Sequence, residues 1–188
     1  DIRLIVHMDL PSSVEAYYQE IGRAGRDDRA SLCHLIYFEE DLATQLQFVK
    51  WANPSADYTT RLHGLLKENT ARANGLGLDF LREQLSFKNK SDFRLETALA
   101  MLDRYAVTEG SLIDRNLQIV GELPPRFKTE TATNEKRKAD HLKLLEIVNY
   151  IKTTECRRLL IDRYFGVKDS SSCGNCDRCN SPGSNFAA

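Results

Sequence analysis

The chain has 188 residues, of which 41% are hydrophobic and 28% charged, with a formal net charge of −1. That length suits one soluble domain, or one small domain with part of another. No apolar run approaches the roughly 20 residues needed to span a bilayer, and the opening Asp1-Ile2-Arg3 is unlike a signal peptide, so a membrane or exported protein is not expected.

In chain order, Ile2 to Met8 is a short apolar run rich in Ile, Leu and Val, the pattern of a strand buried on both faces of a parallel sheet. With no initiator methionine before it, this opening predicts a piece of a longer protein. Asp9-Leu10-Pro11 stops the strand. Ser12 or Ser13 then caps a helix running through Gly22, with Val14, Tyr17, Tyr18 and Ile21 at helical spacing. Ala30 to Phe38 reads as a second strand, which makes residues 1–38 a β-α-β unit. Helical periodicity follows from Asp57, in a segment with Leu62, Leu65 and Leu66, a second from Leu78 to Leu85, and a third from Phe93 to Tyr105 capped by Ser91 or Asp92. Ala106–Thr108, Ser111–Ile113 and Leu117–Val120 are short β-favouring runs broken by Gly110 and by Asp114-Arg115-Asn116. Three helices and a β-hairpin are the order of a winged helix, and equally of a small bundle with an incidental hairpin. Leu142, Leu145, Val148 and Ile151 mark a further helix, and Cys156 to Tyr164 another ending at Phe165-Gly166, together a helical hairpin. Joints are expected at Asn53-Pro54-Ser55, from Pro124 to Asn134, and in the tail from Asn180.

The near-zero net charge hides an asymmetry. Residues 1–57 hold 5 Lys/Arg against 10 Asp/Glu, whereas residues 58–188 hold 21 against 17. Residues 134–168 alone carry 9 basic and 5 acidic side chains. Such a surplus can neutralise phosphates and release their counterions, or can simply solvate a helix face. Arg94, Lys136, Arg137, Lys138, Arg157 and Arg158 are the candidate phosphate contacts, and any such binding is expected to weaken with salt.

Two motifs carry chemistry. The first is Gln19-Glu20-Ile21-Gly22-Arg23-Ala24-Gly25-Arg26-Asp27. Small residues between arginines let planar, permanently charged guanidinium groups approach a phosphate, although cations at a helix C-terminus also stabilise the helix alone. The second is Cys156 with Cys173-Gly174-Asn175-Cys176-Asp177-Arg178-Cys179. Four thiolates can enclose one Zn²⁺ tetrahedrally, and two-residue gaps with Gly or Asn let the sulfurs converge. The same spacing opens the ferredoxin pattern, so an iron–sulfur cluster stays a possibility beside zinc, as do bare thiols. Four of the five cysteines fall in this metal-type pattern, which points to a reducing compartment. Cys33, between Leu32 and His34, reads as a small buried hydrophobe.

The string Tyr17-Tyr18-Gln19-Glu20-Ile21-Gly22-Arg23-Ala24-Gly25-Arg26-Asp27, with Val6-His7-Met8-Asp9-Leu10-Pro11 before it, resembles motif VI of the RecQ DNA helicases, a branch of superfamily 2. Cys156-Arg157-Arg158, Tyr164-Phe165-Gly166 and the Cys-Gly-Asn-Cys-Asp-Arg-Cys run resemble that family's zinc-binding module. The chain departs from the family pattern at Asp28, where Gly is usual. It departs again in the roughly 80 residues between the RecA-like part and the zinc-binding module, where the winged-helix-like pattern precedes the cysteines, so it resembles a divergent branch.

The resemblance implies an α/β plus mainly α chain. Residues 1–52 would be the C-terminal part of a second RecA-like domain, 55–123 a winged-helix-like segment, 134–180 a helical-hairpin zinc-binding module and 181–188 a flexible tail. It implies an ATP-dependent 3′-to-5′ DNA helicase of DNA repair and recombination, cytoplasmic in a bacterium or nuclear in a eukaryote. Arg26 would be the arginine finger on the γ-phosphate, Arg23 its neighbour and Gln19 the coupling residue. Cys156, Cys173, Cys176 and Cys179 would hold structural Zn²⁺. No P-loop occurs in the sequence, so ATP and Mg²⁺ would be cofactors of the parent protein and the chain alone inactive. Two other classes remain open on the residues alone. One is a non-catalytic winged-helix/zinc module that binds DNA or another protein, and the other is a zinc-containing regulator with sequence-specific binding.

Overall fold

The computed structural model describes residues 1–27, 29–85 and 92–180. Asp28, Ser91 and the tail from 181, each singled out by the sequence, lie outside the described residues. The chain divides into two units, Asp1–Gln45 with the segment from His141 onward, and Leu46–Asp140.

In the first unit, β1 (Leu4–His7) pairs in parallel with β2 (Leu32–Leu35), Leu4 opposite Leu32 and His7 opposite Leu35. The crossover is α1 (Val14–Ile21), and Ser13 caps it by accepting the Ala16 N–H at 3.1 Å. Leu10, Val14 and Tyr17 form a core with Leu144, Ile147 and Tyr150 of a later helix and with Ile161. Within this chain Leu4, Val6 and Leu32 are exposed. The strands alternate in burial because the core covers only one face of this two-stranded sheet.

Glu39–Ala52 forms α2, a helix the periodicity did not reveal. None of its residues is fully buried, so its apolar positions leave no clean stripe, although Glu39, Glu40 and Asp41 suit the first turn of a helix. Asn53-Pro54, expected as an exposed joint, is a buried turn instead. Ser55 then caps α3 (Ala56–Leu76), its Oγ accepting the Tyr58 N–H at 3.1 Å.

The second unit packs α3, kinked at Asn69, against α4 (Leu78–Leu85) and α5 (Arg94–Arg104) around Leu62, Leu66, Leu81, Leu95 and Leu102. A hairpin of β3 (Thr108–Glu109) and β4 (Gln118–Ile119) closes it. Asn74 ties hairpin to helix by donating to the Leu117 carbonyl at 2.9 Å and accepting the Leu117 N–H at 3.0 Å. Ser111–Ile113 is a turn and not a strand, with Gly110 at φ +80° and Ile113 91% exposed. The supposed joint from Pro124 contains a 3₁₀ turn, Pro125–Phe127, that buries Phe127, and α6 (Glu130–Lys152) begins before Asn134.

On α6 the expected apolar phase is displaced. Leu142 and Leu145 are exposed, while Leu144, Ile147 and Tyr150 are buried. α7 (Arg157–Tyr164) and the short α8 (Asp177–Asn180) follow.

Two helices end in the same way on different residues. After α7, Val167 N–H donates to the Asp162 carbonyl and Gly166 N–H to that of Arg163, with Gly166 at φ +78°. After α5, Val107 bonds to Leu102 and Ala106 to Asp103, yet here the left-handed position is Ala106, at φ +52°. Such a termination favours glycine, because a Cβ in the left-handed region costs about 1 kcal/mol. Ala106→Gly is therefore expected to stabilise the second unit by up to about 1 kcal/mol, read as a higher urea midpoint with an unchanged slope.

Asp92 serves the start of α5. Its Oδ1 accepts the Arg94 N–H at 3.0 Å, and its carboxylate pairs with the Arg94 guanidinium, which lies 4.9 Å from the Tyr58 ring centre. Burial raises the Asp92 carboxyl, but the hydrogen bonds and charge of Arg94 outweigh it and hold the pKa below the usual aspartate value. Such a group binds fewer protons folded than unfolded. Its contribution is complete above the unfolded value of about 3.9 and is lost as pH falls through the folded one. Asp92→Asn is expected to cost about 1–3 kcal/mol at pH 7 and to weaken the loss of stability on acidification, as urea unfolding at pH 7 and pH 3 would measure.

Candidate functional site

Cys156 sits at the N-terminus of α7, and the segment 173–179 folds back to it through Gly174 at φ +67°. The four sulfurs lie within 4.8 Å of one another. The Sγ separations are 3.5 Å for Cys156–Cys173, 4.0 Å for Cys156–Cys176, 3.9 Å for Cys173–Cys179 and 3.5 Å for Cys176–Cys179. Tetrahedral corners 2.3 Å from a central Zn²⁺ are about 3.8 Å apart, so the cysteines fit one ion and leave no room for a multi-iron cluster.

Electrostatics agree with that fit. Burial works against the Cys156 thiolate, but the Cys173 N–H, 3.3 Å from its sulfur, and further donors hold its pKa down to about 6. Cys176, which accepts the Arg157 N–H at 3.5 Å, is also lowered, whereas its hydrogen bond with Cys179 pushes the latter up to about 12. Four like charges this close can all ionise only around a cation. Four protein ligands leave no position for water or substrate, so the Zn²⁺ of this site is structural.

Arg157 clasps the knot. Its Nε and Nη2 donate to Asp177 Oδ1 and Oδ2 at 3.0 and 2.9 Å, Nη1 donates to the carbonyls of Tyr150 and Ile151, and the guanidinium lies 5.1 Å from the Tyr150 ring centre. Proposed from sequence as a phosphate contact, Arg157 is thus held within the fold. Arg158, by contrast, is exposed and only 3.6 Å from Asp162. Cys33 is half-buried and stands apart from the cluster, and burial pushes its thiol pKa up.

The segment 19–27 lies in the same unit as the cysteines. Gln19 on α1, Arg23 and Arg26 are exposed, and Arg26 Nε donates to the Gly22 carbonyl at 3.2 Å. Gly25, at φ +65°, donates to the Ile2 carbonyl at 3.3 Å, and a Cβ on it would stand 2.9 Å from Ser31 Oγ. Only glycine fits at position 25 without strain. Arg3 pairs with Asp27 and fixes the far side of the turn.

Sequence reasoning did not foresee the connection behind α1. His7 Nε2 and Glu20 Oε2 are 2.6 Å apart, and His7, Tyr17 and Tyr150 stack in series with centroids 5.0 and 5.2 Å apart. The Tyr17 and Tyr150 hydroxyls are 3.5 Å apart, and burial raises both phenol pKa values. Tyr18 also packs on Phe165 at 5.1 Å. The aromatic spacing of Tyr17 and Tyr18 was the available signal, and Tyr150 and Phe165, on which they pack, lie more than 130 residues away.

Of the other basic candidates, Arg94 is engaged by Asp92, Lys136 Nζ donates to Asn53 Oδ1 and Asp140, and Arg137 donates to Asn134. Lys138 is exposed.

A family model described as RecQ zinc-binding matches residues 111–180. The ATP-dependent DNA helicase RecQ of Bacillus subtilis (strain 168) is 25% identical over 179 residues, 95% of this chain and 17% of that protein. Its namesake from Pasteurella multocida (strain Pm70) is 26% identical over 182 residues, 97% of this chain and 16% of that protein. A shorter stretch of 44 residues is 52% identical to the bifunctional 3′-5′ exonuclease/ATP-dependent helicase WRN of Mus musculus, covering 23% of this chain and 3% of that protein. The chain therefore spans less than a fifth of the length of these relatives. With the knot of Cys156, Cys173, Cys176 and Cys179 inside it, the matched stretch 111–180 carries a RecQ zinc-binding domain, and nearly the whole chain is similar to RecQ helicases at about 25% identity.

Proposed function

We propose that this chain is the part of an ATP-dependent 3′-to-5′ DNA helicase of repair and recombination that supplies the motif VI arginines and a zinc-braced DNA-binding region. The observation that carries the reading is the turn at Gly25, which exposes Arg23 and Arg26 on either side of a backbone with no room for a side chain. Phosphoryl transfer spreads negative charge over the γ-phosphoryl oxygens, and a guanidinium from outside the P-loop neutralises it in the transition state. Arg26 is the finger, Arg23 supports it, and Gln19 couples the nucleotide state to motion. ATP and Mg²⁺ belong to a P-loop domain that these 188 residues do not contain.

Residues 1–52, with parallel strands joined by α1, act as the C-terminal part of a RecA-like domain. Residues 55–123, three helices and a hairpin, act as a winged-helix-like segment, and residues 134–180 form the zinc-binding module. Lys136, Arg137, Lys138 and Arg158 offer cationic surface to single-stranded or branched DNA, while Arg94 and Arg157 contribute through the elements they brace. DNA-stimulated ATP hydrolysis by the full-length protein and its Arg23→Ala and Arg26→Ala variants tests the reading. Lost turnover with ATP binding retained supports the helicase. Unchanged turnover supports a non-catalytic module.

A further inference from the structure

In the second unit a cavity of about 220 Å³ opens between the buried turn after α2, α5, the 3₁₀ turn and the first part of α6. Three of its lining side chains are cations, Arg104, Arg126 and Lys136, and none is a carboxylate. Lys136 is fixed in the wall by Asn53, itself only 6% exposed, whose Oδ1 accepts from Nζ at 3.0 Å and whose Nδ2 donates to Val49 O and Asp140 Oδ2 at 2.8 Å. Asp140, which does not line the cavity, pairs with Lys136 at 2.8 Å. Arg104 and Arg126 have no carboxylate within ion-pair distance among the described residues, so the cavity keeps a surplus of two positive charges.

Arg126 also sits over aromatic rings. Its guanidinium lies 5.1 Å from the Tyr105 ring centre and 5.5 Å from that of Phe127, and the two rings meet edge to face at 4.7 Å. Stacking on rings leaves the cation's charge and its outer edge available. Tyr105 remains 38% exposed beside it. A cationic wall next to an aromatic and guanidinium platform is the chemistry that seats a single-stranded nucleotide, phosphate on the cations and base on the plate. The volume falls below the roughly 300–1,000 Å³ of sites for drug-sized ligands. It suits one nucleotide and excludes a duplex.

We propose that this cavity is a subsite for one nucleotide of single-stranded DNA, in which Arg104 and Lys136 hold the phosphodiester and the Arg126–Tyr105 platform stacks the base. This deepens, and rests on, the reading of the chain as a DNA-handling segment. The test is fluorescence anisotropy of labelled dT₁₅ with the zinc-loaded chain and its Arg104→Glu/Arg126→Gln variant, with zinc content and melting temperature confirming the fold. At least a tenfold loss of affinity is expected, with a salt slope shallower by about 0.7, one phosphate contact's worth on a single strand.

Equal binding by wild type and variant would overturn the subsite and leave DNA binding by the rest of the chain intact. No binding by the wild type would overturn both. Thymidine 5′-monophosphate should compete better than inorganic phosphate, and equal competition would mean a site for phosphate alone. Should the variant misfold, photocrosslinking of a 5-iododeoxyuridine oligonucleotide to the wild type decides instead. Adducts on Tyr105 or Phe127 are expected, and adducts confined to residues outside the cavity would refute the assignment.

Discussion

Cys176→Ser is expected to leave the first unit unable to fold stably. The loop from Gly166 to Asn180 is polar, with Ser170-Ser171-Ser172 at its centre, and supplies no buried apolar side chain to either core. What holds it to α7 is the four-sulfur cluster and the Arg157–Asp177 clasp, and the clasp itself depends on α8 being placed by Cys176 and Cys179. Structural zinc in small domains contributes apparent binding energies of about 10–16 kcal/mol, most of it folding free energy. Loss of one thiolate should therefore cost several kcal/mol, comparable to the whole stability of an ordinary domain. The checks are zinc content by elemental analysis, limited proteolysis and thermal melting. Cys33→Ser should keep a full zinc complement and a near-normal melting temperature. A full complement in Cys156→Ser would remove Cys156 from the ligand set.

Arg26→Ala in the full-length protein is expected to lower kcat for ATP hydrolysis on the order of 10³-fold or more, the usual effect of losing an arginine finger, or about 4 kcal/mol of transition-state stabilisation. ATP affinity should change far less, because the guanidinium acts chiefly on charge that develops during transfer. Its exposure supports this division of effects: Arg26 has only a 3.2 Å bond to the Gly22 carbonyl to give up when it turns toward a phosphate. Gly25→Ala should mimic the loss by displacing both arginines, since its Cβ would meet Ser31 Oγ at 2.9 Å. Steady-state kinetics alongside nucleotide binding separate the two quantities. A near-normal kcat in Arg26→Ala would remove it from that role.

Legibility followed the range of the interactions. The cysteine knot was readable because its signal is local, two-residue gaps whose geometry needs only backbone turns. Helix α1 was readable from Ser13 and from the spacing of Val14, Tyr17 and Ile21, and the hairpin from Gly110 and the short β-favouring runs.

The failures arose where tertiary context chose among equivalent local readings. Helix α6 presents two apolar stripes, one through Leu142 and Leu145 and another through Leu144, Ile147 and Tyr150. The helical period cannot rank them, and Leu10, Val14 and Tyr17, more than 120 residues earlier, choose the second. Asn53-Pro54 carries the composition of a linker, yet it is buried because Lys136 and Asp140 satisfy the asparagine amide. Arg157 and Arg94 count as free cations in any charge sum, but partners at Asp177 and Asp92 fix them in place.

The first unit is assembled from two stretches of chain with the whole of Leu46–Asp140 between them. During synthesis, β1, α1 and β2 leave the ribosome long before Leu144, Ile147, Tyr150 and the cysteines exist. At about 5–20 residues per second the wait is on the order of 5–20 s. Through that interval Leu10, Val14 and Tyr17 lack the partners they meet at Leu144, Ile147, Tyr150 and Ile161, while the intervening segment already holds all of its own. The nascent chain should thus mature from the middle outward, the inserted unit first and the flanking unit only once the last thiol emerges. Prior folding of the insert also brings the two stretches nearer in chain terms, since closing a loop of ordered residues loses less entropy than closing a flexible one of the same length.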